Sequence, residues 1–158
     1  MSTRTLVLIR HAKSDWDVPV PDRQRPLNAR GARQAPATGK WLSDNGIQPD
    51  LTLVSPAVRA RRTWELVAAE LPTQPRVEVS ETAYTFDGDD LLRVVRSAPE
   101  VTTLAIVGHN PAMEELIEAL AGLSVPMPTS ALAVLDGPLW GAPLGSWTIR
   151  YAGRPADE

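Results

Sequence analysis

The sequence contains no cysteine among its 158 residues. Disulfide bonds and thiolate metal sites are therefore excluded, and a reducing compartment is permitted. Histidine is also scarce, since only His11 and His109 are present. Two histidines without cysteine make a poor zinc site, and no carboxylate cluster suggests magnesium. We therefore expect a protein that works without a metal or other cofactor.

Long hydrophobic runs and an excess of positive charge are missing as well. The first apolar run, Leu6 to Ile9, is shorter than the roughly 7–15 residues of a signal-peptide core and far shorter than a membrane-spanning helix. A net charge of -3 argues against broad binding to nucleic acid or to anionic lipid. We expect a cytoplasmic protein that has neither a nucleic acid nor a membrane as its partner.

Short apolar runs alternate with amphipathic segments along the chain. Continuous runs, typical of strands covered on both faces, occupy residues 6–9, 50–55 and 103–109. Weaker strands are predicted at 76–80, 131–135 and 146–151, and the last two could pair as a hairpin. Helices are predicted over 31–44, from Ser55-Pro56 to Pro72, over 89–97, and from Asn110-Pro111 to Gly122. Pro56 and Pro111 are expected at first helical positions.

This alternation predicts a three-layer α/β/α sandwich with a mostly parallel central sheet. The length is typical of one domain, and no linker or repeat divides the sequence. We therefore expect residues 1–158 to form a single domain.

Both histidines follow predicted parallel strands directly. Ligands of open α/β sheets bind at the carboxyl ends of the strands, so His11 and His109 are candidates for one site. A lone histidine there would more simply be a hydrogen-bonded strand end, but the only two in the chain favour a site. Arg10 precedes His11, and Arg59 lies near a predicted helix N-terminus, where an anion is already favoured.

Two cations, two imidazoles and a helix start make a suitable pocket for a phosphoryl group. A neutral imidazole is a competent nucleophile toward phosphorus, and nearby positive charge favours its neutral form. Other catalytic patterns, including G-x-S-x-G and H-E-x-x-H, are absent from the sequence.

Five stretches resemble the histidine phosphatase superfamily, which also contains the phosphoglycerate mutases. They are LVLIRHAKSDW (6–16), RPLNARG (25–31), SPAVRARRT (55–63), VGHNP (107–111) and PTSALAVL (128–135). Within that superfamily the chain looks most like the short SixA-like phosphohistidine phosphatases, over about residues 5–149. The resemblance implies a phosphoglycerate mutase-like fold, with His11 as a nucleophile that becomes transiently phosphorylated. It also implies that Arg10 and Arg59 hold the phosphoryl oxygens and that His109 donates a hydrogen bond to them.

The sequence departs from the family pattern after the nucleophile. Ala12 replaces the usual glycine, and Asp17 stands where the mutases have an asparagine. A carboxylate there would repel phosphate unless it is turned away or paired, so mutase activity is not expected. Lys13 either adds a cation near the pocket or lies in solvent.

The proton donor is the open question of the site. Glu81 resembles the general acid of the mutases, although an exposed loop glutamate is an equally simple interpretation, and Asp15 and Asp17 are the next candidates. An alkoxide leaving group needs a proton, whereas the imidazole released from phosphohistidine leaves neutral.

Three functions follow from these residues. The first is a metal-independent phosphatase that hydrolyses phosphohistidine on a protein through a phospho-His11 intermediate. The second is a small-molecule phosphomonoesterase of the same fold, which would be favoured if Glu81 proved catalytic. The third is a non-catalytic phosphate-binding module. The partner is accordingly a phosphorylated protein or a small phosphorylated metabolite.

Overall fold

The computed structural model describes residues 3–157, and that part of the chain contains six strands and four helices. The strands are β1 (Arg4–Arg10), β2 (Leu51–Val54), β3 (Arg76–Val79), β4 (Thr103–Gly108), β5 (Leu132–Gly137) and β6 (Thr148–Gly153). The helices are α1 (Ala29–Asp44), α2 (Val58–Ala68), α3 (Gly88–Arg96) and α4 (Ala112–Ala121). Each predicted strand and helix is confirmed, with differences only at the ends.

The strands form one sheet in the order β3-β2-β4-β1-β5-β6. The pairs β3–β2, β2–β4 and β4–β1 are parallel, whereas β1–β5 and β5–β6 are antiparallel. The mostly parallel sheet and the terminal hairpin are therefore confirmed. Because β1, β2 and β4 are neighbours that run in the same direction, their carboxyl ends meet at one edge of the sheet.

Alternating side chains of β1 divide the core into two layers. Leu6 and Leu8 pack on one face with buried residues of α3 and α4, and Val7 and Ile9 pack on the other face with buried residues of α1 and α2. Since all four side chains are fully buried, β1 is covered on both faces, as its unbroken apolar pattern predicts. The three-layer sandwich is thus confirmed.

Two helix starts differ from the prediction. Pro56 lies two residues before α2 begins at Val58, and Pro111 is the N-cap of α4, so neither proline is at a first helical position. In the first case the Ser55 hydroxyl accepts a hydrogen bond from the backbone N–H of Ala57. That local turn postpones the helix and leaves Ser55 directly after β2.

The first helix also begins earlier than its periodicity indicates. Asn28 caps α1 by accepting a hydrogen bond from the backbone N–H of Gly31, and the helix continues through Pro36. Within residues 3–157, none of the helices has the length and apolar content needed to cross a bilayer.

Candidate active site

The pairing of β1 with β4 brings the two histidines together. Arg10 and Gly108 are register partners at the ends of these strands, and His11 and His109 are the residues that directly follow them. The backbone N–H of His11 still donates to the carbonyl of Gly108. The imidazole centroids lie 5.2 Å apart, close to the spacing of neighbouring strands. The predicted meeting of both histidines at the sheet edge is therefore observed.

The buried ring of His11 is held in one tautomer. Its Nδ1 lies 2.8 Å from the carbonyl oxygen of Ala12, and because a carbonyl can only accept, Nδ1 carries the proton. The other ring nitrogen, Nε2, is then unprotonated and accepts a hydrogen bond from Nε of Arg59 at 3.4 Å. The backbone N–H of Ala12 donates in turn to the hydroxyl of Thr63. A lone pair on Nε2 is thus presented toward the arginine.

The ring of His109 is also fixed on both sides. Nη2 of Arg59 lies 3.3 Å from its Nδ1, and because arginine can only donate, Nδ1 is the acceptor. Nε2 therefore carries the proton and donates to the hydroxyl oxygen of Ser55 at 2.8 Å. Ser55 is fully buried and follows β2, which is paired with β4. Three adjacent parallel strands thus contribute to one hydrogen-bonded group.

Arg59, the second residue of α2, lies between the two imidazoles and is almost wholly buried. Its Nη1 donates to the backbone carbonyl of Asp22 at 2.6 Å, and its Nη2 donates to Oδ2 of the same residue at 2.9 Å. The position near the start of α2 agrees with the sequence-based expectation. The contact with Asp22 has no counterpart in that expectation.

Burial keeps both imidazoles neutral. Desolvation, together with the positive charges of Arg59, Arg10 and Arg25, lowers the pKa of His11 to about 3, although the hydrogen bond to Ala12 opposes the shift. Desolvation also lowers the pKa of His109 to about 3, with smaller contributions from His11 and the nearby arginines. Both rings are therefore uncharged at neutral pH, as a nucleophilic imidazole requires.

Arg10 lies at the same edge and is partly buried. Its Nη1 donates to the backbone carbonyl of Met127 at 3.0 Å. Desolvation lowers its pKa, while the nearby carboxylate of Glu114 raises it. A guanidinium remains charged under such conditions, so Arg10 contributes positive charge close to His11.

Asp22, Tyr84 and Arg25 also lie at the site, and the sequence interpretation missed them, as it missed the contact of Ser55 with His109. The carboxylate of Asp22 accepts hydrogen bonds from the Tyr84 hydroxyl and from Nη2 of Arg25, the latter at 2.5 Å. The Tyr84 ring also packs edge-on against His109, with 5.3 Å between centroids. Arg25 is buried and stacks on the exposed ring of Trp16 at 3.5 Å. Only the RPLNARG motif, which begins at Arg25, could have pointed to one of them.

The carboxylate of Asp22 is strongly acidic. Burial alone would raise its pKa, but the hydrogen bonds from Tyr84 and Arg59 and the charges of Arg59 and Arg25 outweigh this effect and lower the pKa to about 2. The group is therefore an anion across the physiological range and has no proton to donate.

The carboxylates considered as acids in the sequence lie elsewhere. Glu81 is exposed and accepts a hydrogen bond from Arg23 at 2.9 Å. Asp15 accepts from the backbone N–H of Asp17, whose own side chain is exposed. Lys13 is half-buried, and its backbone N–H donates to Gln34. The structure thus does not bring Glu81 into the hydrogen-bonded group around the histidines.

The arrangement can bind an oxyanion and attack it. It offers a neutral imidazole whose Nε2 lone pair accepts a long hydrogen bond from Arg59, the buried guanidinium of Arg59 between two imidazoles, and a second guanidinium nearby. Among residues 3–157, no group of three or more His, Cys, Asp or Glu side chains is placed to hold a metal ion.

Comparison with known proteins gives a family match that covers Arg10, His11 and Arg59 but not His109. The sequence profile of the histidine phosphatase superfamily (branch 1) matches residues 6–85. An uncharacterized protein of Mycobacterium leprae is 34% identical over 81% of this chain and 86% of its own length. An uncharacterized chloroplastic protein of Arabidopsis thaliana is 32% identical over 85% of this chain, which spans only 66% of that relative.

Solved structures agree with the sequence matches. The crystal structure of a protein from Agrobacterium tumefaciens described as a phosphohistidine phosphatase SixA has a TM-score of 0.82 and 30% identity. The similarity covers 97% of this chain and 98% of that one.

Proposed function

This chain belongs to the histidine phosphatase superfamily (branch 1) and is a phosphatase with a histidine nucleophile, and we propose that His11 is that nucleophile and protein phosphohistidine its substrate. Residues 1–158 would act as a single histidine phosphatase domain, without a metal or other cofactor. The partner is then a phosphorylated protein. The cytoplasmic location expected from the sequence stays a prediction.

One observation supports the choice of substrate: the site holds a candidate nucleophile and positive charge, but the carboxyl group that is hydrogen-bonded to Arg59, that of Asp22, has no proton to donate. Asp22 is ionised, with a pKa of about 2. Glu114 accepts a hydrogen bond from the side-chain amide of Asn110, and Glu81 is turned to Arg23. An alkyl ester needs a proton on its leaving oxygen, whereas the imidazole of phosphohistidine leaves without one from the enzyme.

In the first step, the lone pair on Nε2 of His11 attacks phosphorus. The new Nε2–P bond forms as the bond from phosphorus to the substrate nitrogen breaks, and that electron pair returns to the leaving imidazole. Nδ1 of His11 keeps its proton and donates it in a hydrogen bond to the carbonyl of Ala12. This hydrogen bond stabilises the positive charge that develops on the ring. The leaving ring departs neutral when its other nitrogen already carries a proton.

In the second step, a water molecule attacks the phosphorus of phospho-His11, and a new O–P bond forms as the Nε2–P bond breaks. Both protons of the water leave with the phosphate. Inorganic phosphate is released, and Nε2 regains its lone pair. Arg59 and Arg10 stabilise the phosphoryl oxygens in both steps, which is the kind of fixed charge that supports transition states most strongly.

His109 can assist through a change of tautomer. In the free site its Nδ1 accepts from Arg59, but a hydroxyl such as that of Ser55 can donate as well as accept. If Ser55 donates to Nε2, Nδ1 carries the proton and donates to a phosphoryl oxygen. Buried Ser55 therefore allows His109 to serve as the hydrogen-bond donor that the family resemblance implies.

The test is a substrate panel at equal enzyme concentration. A phosphohistidine-containing protein, sugar phosphates and phosphoglycerates are compared by kcat/KM. We expect the phosphohistidine protein to be the preferred substrate. Preference for a sugar phosphate or phosphoglycerate would contradict the proposal and favour the small-molecule phosphomonoesterase, and binding without turnover of any of them would favour a phosphate-binding module.

A further inference from the structure

Arg59 offers two distinct pairs of N–H groups, and the structure uses them for different purposes. A guanidinium is planar and rigid, with one side-on pair formed by Nε and Nη2 and one end-on pair formed by Nη1 and Nη2. The side-on pair faces the histidines, since Nε donates to His11 and Nη2 lies against His109. The end-on pair holds Asp22, through both its backbone carbonyl and its carboxylate.

Both ends of this contact are anchored. The side chain of Arg59 is 2% exposed and therefore has little freedom to adopt another direction. Oδ2 of Asp22 also accepts from the hydroxyl of Tyr84, and Oδ1 accepts from Arg25. The carboxylate is thus held by Arg25 of its own loop and by donors from two distant segments of the chain, which carry Arg59 and Tyr84.

The segment that carries Asp22 is itself tied down. Residues 15–26 form a loop that is closed at its base by a bridge between Ser14 and Leu27 and by a hydrogen bond from the backbone N–H of Asp15 to the carbonyl of Pro26. Asp22 begins a short 3₁₀ turn in that loop. The loop therefore presents a carbonyl and a carboxylate together at the end of the guanidinium.

We propose that Asp22 is a positioning residue. It accepts hydrogen bonds from the end-on pair of Arg59 and thereby orients the side-on pair toward the phosphoryl group carried on His11. A phosphoryl group on Nε2 of His11 would lie between the two imidazoles, where Nε and Nη2 of Arg59 point. Asp22 neither touches that group nor transfers a proton. This inference rests on the proposed role of His11 but not on phosphohistidine as the substrate.

An alternative for the same contact is competition, in which the carboxylate takes the place of a phosphoryl oxygen and has to leave when substrate binds. The two ideas predict opposite effects on anion affinity. If Asp22 positions Arg59, its loss weakens binding of an oxyanion, whereas if it competes, its loss strengthens binding.

The experiment is a double-mutant cycle between Asp22→Asn and Arg59→Lys. The readouts are kcat and KM with an aryl phosphate, and the dissociation constant of tungstate by calorimetry. Asp136→Asn is the control, since it weakens another carboxylate–guanidinium pair, the more exposed one with Arg150 between β5 and β6. Melting curves are recorded for every variant.

We expect Asp22→Asn to lower kcat with the aryl phosphate by roughly 10- to 100-fold, as misplacement of a charged group commonly does, and to weaken tungstate binding. In the Arg59→Lys background the same change should have little further effect, because there is no guanidinium left to position. Asp136→Asn should leave both readouts near wild type.

Three results would overturn the proposal. They are an equal loss from Asp22→Asn in both backgrounds, tighter tungstate binding by Asp22→Asn, and wild-type kinetics of Asp22→Asn. If Asp22→Asn fails to fold, Tyr84→Phe removes one donor from the carboxylate and keeps its charge, and the same coupling to Arg59→Lys is then required. Because tungstate binding needs no turnover, a failure of phosphohistidine as substrate leaves this test intact.

Discussion

The hydroxyl oxygen of Ser55 lies 2.8 Å from Nε2 of His109, and both side chains are buried. The same oxygen accepts from the backbone N–H of Ala57 ahead of α2. Ser55 therefore links the strand end that carries it to the imidazole of the neighbouring strand and to the helix that carries Arg59.

From this contact we predict that Ser55→Ala lowers kcat more than it raises KM. His109 loses the partner that fixes its ring and permits its change of tautomer, and removal of one positioned donor to the transition state commonly costs about 10²-fold in rate. Steady-state kinetics with an aryl phosphate measures the split. Ser146→Ala, which alters an exposed serine far from the histidines, serves as control, and unchanged kinetics of Ser55→Ala would remove the proposed role of His109 as donor.

His11→Ala should abolish turnover of every phosphorylated substrate, because the variant lacks the proposed nucleophile. His109→Ala and Arg59→Ala should remain folded and retain weak activity, since each removes one stabilising group and keeps the nucleophile. The three variants are mixed with labelled substrate and quenched rapidly, and the acid-labile and acid-stable phosphate bound to each protein is measured. A phosphoenzyme formed by His11→Ala would refute the mechanism, and melting curves guard against misfolding.

The two histidines should make the protein less stable as the pH falls. Each has a pKa of about 3 in the folded state and an ordinary value near 6.5 when unfolded, so the unfolded state takes up protons first. The stabilisation is complete above about pH 6.5 and is lost toward pH 3, by at most about 1.4 kcal/mol per pH unit for each histidine.

This pH dependence is measured by urea unfolding at several pH values between about 7 and 5, where most carboxylates stay ionised. Wild type is compared with His11→Gln and His109→Gln. Each variant should show a shallower decline in the free energy of unfolding than wild type. Parallel curves for all three proteins would mean that the buried imidazoles do not resist protonation.

Activity should persist after exhaustive treatment with EDTA. The proposed mechanism neutralises phosphoryl charge with Arg10 and Arg59, and no step needs a Lewis acid. Turnover of an aryl phosphate before and after chelation is the measurement, with a magnesium-dependent phosphatase as the positive control. Loss of activity that zinc or magnesium restores would contradict the mechanism.

The sequence predicted those parts of the site that depend on local patterns. Arg10 ends the apolar strand β1, and His11 and His109 directly follow β1 and β4, whose parallel pairing brings the three residues together. Asp22 and Tyr84 were not predictable in this way, because each lies in a connection between regular elements whose path is set by packing and hydrogen bonds to distant residues.

The helices likewise have features that the sequence pattern predicts and features that it does not. The periodicity of apolar residues located α2 and α4, but the exact start depends on a few hydrogen bonds. The side chain of Ser55 accepts a hydrogen bond from the backbone N–H of Ala57, so the chain makes a turn before it becomes helical. The sequence pattern of serine followed by proline is compatible with both geometries.

The last prediction concerns Glu81 and separates the two kinds of substrate. Its carboxylate accepts a hydrogen bond from Arg23, whose guanidinium lies 4.5 Å from the centroid of the Tyr84 ring. If phosphohistidine is the natural substrate, Glu81→Gln should slow its hydrolysis only slightly. An activated aryl phosphate should also be little affected, because its leaving group needs no proton.

An alkyl phosphate is the discriminating substrate in this comparison. If Glu81 is the general acid, Glu81→Gln should slow hydrolysis of the alkyl ester by roughly 10² to 10⁴, the usual contribution of a positioned acid. Glu78→Gln, which alters another exposed glutamate paired with an arginine, controls for lost surface charge. In the proposed mechanism His11 and Arg59 act on every substrate, so their contributions cancel in the ratio of rates. Equal slowing of all three substrates would mean that Glu81 supports the loop around Tyr84, and the search for an acid would return to Asp15 and Asp17.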